Sequence, residues 1–152
     1  MVVLNIVFFA ALFASGFAEI VNIQSCDGVA EDICTVSEVR ITPCKNVNKC
    51  LFKKKKNVSM SFDFTPNFAA DKLNTSVYWA SPTGDVPFAG FGSNDGCEYT
   101  TCPSKATESQ TLDYSMYINR KLPGGIYPLK WKVWNAENDQ QICCFKTTIE
   151  IK

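Results

Sequence analysis

From Phe145 to the end of the chain the residues alternate with a period of two. Phe145, Thr147, Ile149 and Ile151 share one face, and Lys146, Thr148, Glu150 and Lys152 share the other. In an extended strand successive side chains point to opposite faces, so this pattern describes a strand with one dry and one wet side. The period recurs along the chain. Met60, Phe62 and Phe64 alternate with Ser59, Ser61 and Asp63. Leu112, Tyr114, Met116 and Ile118 fall on one face, and Leu129, Trp131 and Val133 alternate with Lys130, Lys132 and Trp134. Val39 and Ile41 bracket Arg40, and Val77 and Trp79 bracket Tyr78. Each run is bounded by Pro, Gly, Asn or Asp clusters, and helical periodicity is scarce. Six to eight antiparallel strands of this kind predict one all-β domain, a sandwich or barrel.

Ahead of that domain stands MVVLNIVFFAALFASGFA, 18 residues without Asp, Glu, Lys or Arg, closing on small residues suited to signal peptidase. Residues 1–18 are read as a secretory signal peptide, although a basic start is missing, and residues 19–152 as the mature domain. The product should be soluble and extracellular. A chain of this length buries roughly two-thirds of its unfolded surface, enough for a true core. Its 15 basic and 15 acidic residues give zero formal net charge. That argues against a nucleic-acid binder, which needs a positive field facing the phosphates.

All eight cysteines lie in the mature part, and an even number in a secreted chain reads as a disulfide framework. Cys44 with Cys50 and Cys97 with Cys102 are close enough to bridge across turns. Cys26 and Cys144 lie near the two ends of the domain. A bond between them would close a loop worth on the order of 4 to 5 kcal/mol in the chain-entropy model. Cys34 and Cys143 remain, and a fourth bond is the simplest completion, but spacing leaves the connectivity open. Asn57-Val58-Ser59 and Asn74-Thr75-Ser76 are glycosylation sequons in keeping with secretion, so Asn57 and Asn74 are candidate glycan sites.

The stretch GDVPFAGFGSNDGCEYTTCP, residues 84–103, places Phe88 and Phe91 in turn-prone surroundings beside a cysteine pair. With FDFTPNF upstream, KLP and YP downstream and the terminal CCFKTTIEI, the order of features resembles the ML lipid-recognition family, in its insect sterol-carrier branch. The resemblance covers residues 19–152. It implies an immunoglobulin-like β-sandwich whose sheets splay around an apolar cavity, and the pairs Cys26–Cys144, Cys44–Cys50 and Cys97–Cys102. Cys34 and Cys143 depart from the family pattern, as a fourth bond or as two buried thiols. By the same resemblance Phe88 lines the cavity mouth, joined by Tyr127 and Pro128. Gly124 stands where the sterol carriers have valine, in a shorter loop, which favours a ligand slimmer than a sterol. Phe91 is a second candidate at the mouth, and Val86, Phe64, Trp79, Trp131 and Phe145 are candidates for the wall. Gly90, Gly92 and Gly96 give the backbone freedom to turn both rings inward, and a Cys97–Cys102 bond would keep the mouth formed.

The function expected is a secreted carrier of one hydrophobic small molecule, a fatty acid, sterol or lipophilic signal. The alternative is an innate-immune module presenting microbial glycolipid to a receptor. The lysosomal lumen is a second destination by analogy. A membrane or receptor contact for delivery and a monomeric state go with this reading. No cofactor and no metal are expected, because the chain has no histidine, the commonest general base and zinc ligand. For the same reason it is not read as an enzyme. An indole or phenol is expected to orient the ligand's polar head. Lys53 to Lys56 read as a solvated turn beside Asn57, with a patch for anionic membranes as the alternative. Phe88→Ala is expected to weaken fatty-acid or sterol binding while leaving the thermal midpoint nearly unchanged.

Overall fold

The computed structural model describes residues 18–30 and 32–152, so the leader read from the sequence lies outside it apart from Ala18. Six long strands carry the architecture: β3 (Cys34–Thr42), β5 (Asn57–Pro66), β6 (Leu73–Trp79), β8 (Gln110–Tyr117), β9 (Gly125–Asn135) and β10 (Asn138–Ile151). Four short ones join them: β1 (Glu19–Ile20), β2 (Gln24–Ser25), β4 (Cys50–Phe52) and β7 (Val86–Pro87). One 3-10 turn covers Gly96–Glu98. The short strands span two or three residues, too few for alternation to reveal them.

One antiparallel sheet runs β1-β3-β5-β8 and the other β2-β10-β9-β6-β7, with β4 alongside β10 in parallel. The inward faces match the alternation closely. Val58, Met60, Phe62 and Phe64 of β5 are buried, as are Leu112, Tyr114 and Met116 of β8 with Ile118 just beyond. From the second sheet come Leu129, Trp131 and Val133, with Cys143, Phe145, Ile149 and Ile151. Fully burying each large side chain contributes about 1.5 to 3 kcal/mol, so this interior is the main source of stability. The Trp131 indole N–H, at zero exposure, donates to Thr75 Oγ1 at 2.8 Å, and that hydroxyl donates to the Lys132 carbonyl at 3.0 Å. A buried donor left unpaired would cost about 1 to 3 kcal/mol.

All eight cysteines are paired: Cys26–Cys144, Cys34–Cys143, Cys44–Cys50 and Cys97–Cys102. The fourth bond therefore forms, and it ties β3 of one sheet to β10 of the other with a Cα separation of 5.1 Å. Cys143 is 2% exposed, on the inward face with Phe145, whereas Cys144 faces the other way. On the outer face of the first sheet, Arg40 forks onto Asp63 with both contacts at 2.7 Å. That ion pair holds the Asp63 carboxyl down to about 2, with burial opposing and a hydrogen bond from Thr111 assisting.

The hollow expected between the sheets is closed at the level of Trp131. Phe62 of one sheet lies 5.0 Å from Phe145 and 5.4 Å from Trp131 of the other, edge to face in both cases. Such pairs are favourable beyond their buried area, and they draw the layers together where large rings face each other.

Candidate ligand-binding site

The edge of the sandwich between β8 and the β6–β7 pair is covered by the loop that follows β7. Phe88 N–H continues the pairing by donating to the Val77 carbonyl at 2.9 Å, and Phe91 N–H turns back onto the Phe88 carbonyl at 3.1 Å. Gly90 lets the turn sit close to the ring, since a Cβ there would stand 3.0 Å from Phe88 and press it aside. Phe91 then points inward, 4.7 Å from the Tyr114 ring and 5.5 Å from Trp131, perpendicular to the indole.

Two tyrosines anchor the loop from below. Gly92 N–H donates to the Tyr114 hydroxyl at 2.9 Å and Ser93 N–H to the Tyr99 hydroxyl at 3.1 Å. Burial raises the Tyr114 phenol above its ordinary pKa, against the opposing effect of the Gly92 hydrogen bond. The Asn94 carbonyl accepts from Thr75 N–H of β6 at 2.9 Å, so the loop is stitched to both sheets. Asp95 caps the 3-10 turn by accepting from Cys97 N–H at 3.0 Å, and the Cys97–Cys102 bond follows at once. Gly96 lies so close to β6 that a Cβ would meet the Leu73 carbonyl oxygen at 2.8 Å.

A second ring group lies at the other end of this edge. Trp79 packs 4.6 Å from Phe88, edge to face, and 4.5 Å from Tyr127. The Tyr127 hydroxyl donates toward the carbonyls of Pro123 at 3.2 Å and Gly124 at 3.3 Å, which ties that loop to the ring group.

The candidates read from the sequence therefore separate. Phe88, Trp79 and Tyr127 meet in one group, while Phe91, Trp131 and Phe145 belong to the central stack with Phe62, against which Phe64 packs. Val86 and Pro128 stand outside both groups. Val86 is 54% exposed beside Trp79 in the β6–β7 ladder, and Pro128 lines an outer cleft with Asp85 and Lys130. Pro128 follows from strand parity, because its neighbours Tyr127 and Leu129 take the inward direction. Val86 shares the face of Trp79 and Phe88 but lies on the two-residue edge strand β7, where over half of it stays in solvent. Phe88 is 3% exposed, more core than rim. Asn57 is exposed at the start of β5, and Asn74 is half-buried on β6.

The indole and phenol groups are already engaged, Trp131 with Thr75, Tyr127 with the 123–124 carbonyls and Tyr114 with Gly92. The sequence reading passed over Gln110, which shares the inward parity of Leu112 and Tyr114, and whose Nε2 is buried without a partner. Its only sequence signal was a polar residue in phase with an apolar face.

The profile of the ML domain matches residues 20–151. The MD-2-related lipid-recognition protein of Manduca sexta is 48% identical over 153 aligned positions, which span 100% of this chain and 99% of that protein. A Caenorhabditis elegans protein, heh-1, is 30% identical over 90% of this chain and 92% of its own length. Among solved structures, a Niemann-Pick type C2 protein from the Japanese carpenter ant superposes with a TM-score of 0.75 at 18% identity. The match covers 86% of this chain and 99% of that one.

Proposed function

The chain belongs to the ML-domain family, and from that premise we propose that it is a secreted carrier holding one hydrophobic small molecule between its sheets. The observation that carries this reading is the way the β8 edge is closed. A short loop closes it by inserting Phe91 against Tyr114 and Trp131, and among the described residues no strand pairs with β8 there. Withdrawing that ring and breaking two tyrosine hydrogen bonds would expose Trp131, with Phe62 and Phe145 packed behind it, as the lining of an entry path.

An acyl chain of about 16 methylenes would contribute about 13 kcal/mol of apolar burial, at roughly 0.8 kcal/mol each. Association and rearrangement of the rings offset several kcal/mol of that, leaving micromolar to nanomolar affinity. The unpartnered Gln110 amide supplies a hydrogen-bond donor for the ligand's hydroxyl or carboxylate. The slim path between rings favours a fatty acid or linear signal over a fused-ring sterol.

A second reading is recognition of a microbial glycolipid on behalf of a receptor; the name of the Manduca sexta relative supports lipid recognition, which both readings share. Native mass spectrometry of protein from its source separates the two by the mass of the bound lipid, one chain against a multi-acyl glycolipid. Displacement of an apolar fluorescent probe by oleic acid tests the path. Phe91→Ala should speed probe uptake and tighten binding, because the ring occupies space the ligand needs. Absence of probe binding in both wild type and Phe91→Ala would sink the carrier reading.

A further inference from the structure

At the end of the sandwich, between the Cys44–Cys50 loop with β4 and the start of β5, lies a concave cleft of about 560 Å³. Its floor is apolar: Pro43, Leu51, Val58 and the Cys44 side of the disulfide. Its rim carries Lys45, Lys49, Lys53 and Lys56, and its only acid is Glu150. Glu150 already binds Lys49 at 3.2 Å and Lys152 at 2.7 Å, and these ammonium groups hold its carboxyl below the usual range. Among the described residues, Lys45, Lys53 and Lys56 have no carboxylate within 4.0 Å. A chain of zero net charge thus concentrates uncompensated positive charge around an oily recess.

The backbone under these lysines is clamped. Lys54 N–H donates to the Lys152 carbonyl and Lys55 N–H to the Ile118 carbonyl, both at 2.7 Å, and Lys55 is held at φ 63°. A non-glycine residue in that region is sustained only where its surroundings over-determine it. Lys49 N–H closes onto the Asn46 carbonyl at 2.9 Å beside the disulfide. The backbone that carries the charges is therefore set in place before any anion arrives, which lowers part of the ordering cost of binding.

We propose that this cleft is a second binding site, taking the phosphate head and upper chain of a single anionic amphiphile. The lysines supply charge-assisted hydrogen bonds to the head, and the floor accepts methylenes. A flat bilayer face would meet the lysines but leave the recess unfilled, whereas one molecule fills both. The site is separate from the path between the sheets. It sits at the β4 edge of the second sheet, and the Trp79 group sits toward the β7 edge.

The test titrates the whole protein with monomeric dodecyl phosphate, with inorganic phosphate and with dodecanol. Dodecyl phosphate should bind at one site with an affinity that falls as salt is raised. Replacing Lys45, Lys53 and Lys56 together by Gln should weaken it about tenfold or more and leave dodecanol unaffected. Leu51→Gln should weaken dodecyl phosphate without changing its salt dependence. Unchanged dodecyl phosphate binding in the triple variant overturns the site, as does inorganic phosphate binding equally tightly. Binding seen only with anionic vesicles overturns it in favour of surface attraction. Binding seen only in Asn57→Gln overturns it for the secreted protein, since Asn57 lines the cleft and a glycan would cover it. Dodecanol binding reports on the path between the sheets, so failure of either site is read separately.

Discussion

The two long-range disulfides form a coupled pair, and removing them one at a time should reveal it. Cys26–Cys144 and Cys34–Cys143 span 118 and 109 residues. Taken alone, each would close a loop worth close to 5 kcal/mol in the chain-entropy model. They are not alone. Cys143 and Cys144 are adjacent and Cys26 and Cys34 stand eight residues apart, so with one bond intact the other closes a ring of only about ten residues. That ring is worth about 2.5 to 3 kcal/mol. Replacing Cys26 and Cys144 by Ala should therefore cost about 2.5 to 3 kcal/mol. Replacing Cys34 and Cys143 should cost about 1 kcal/mol more, because Cys143 is 2% exposed and its sulfur leaves a gap in the core. Removing both pairs should cost about 8 to 9 kcal/mol, roughly 2 more than the sum of the two single losses, and most of the stability of a domain this size. Urea unfolding of the oxidised proteins gives all three values. Single losses near 5 kcal/mol that add to the double loss would show two independent loops and refute the reasoning.

Three further outcomes follow from contacts already described. Phe88→Ala, at 3% exposure and packed on Trp79, should cost about 3 kcal/mol and lower the thermal midpoint by about 10 °C. That replaces the expectation of an unchanged midpoint, and calorimetry decides between them. Gly96→Ala should cost about 1 to 3 kcal/mol in urea unfolding, since its Cβ would collide with the Leu73 carbonyl, and a neutral result would contradict that close approach. Because Arg40 holds the folded Asp63 carboxyl at about 2 against an ordinary 3.8, its stabilisation is complete above about pH 4 and fades as the pH falls through 2. Discounted for solvent screening it amounts to about 1 kcal/mol. Wild type should lose that much more than Asp63→Asn between pH 5 and pH 2, and parallel pH curves would exclude the pair as the cause.

The faces of the six long strands were legible in the sequence because the direction of a strand side chain is set by its own backbone. Met60, Phe62 and Phe64 had to share a side whatever lay opposite them. The disulfides within turns were legible for the same local reason, and the order of cysteines and loop motifs carried the family. What faced what was decided only by tertiary structure. Phe91 sits in a loop with no period, and its inward direction depends on Tyr99 and Tyr114, brought there by other parts of the chain. Phe62 and Phe145 are far apart in sequence, so only packing determined that they touch and close the centre. Lys53 and Lys56 read as solvated, and Lys45 drew no reading, because nothing nearby in sequence shows that β4 and β5 bring them around one recess. Local backbone geometry governs which way a side chain points, but charge density, cavity shape and ring contact arise from residues whose distance along the chain says nothing of their distance in space.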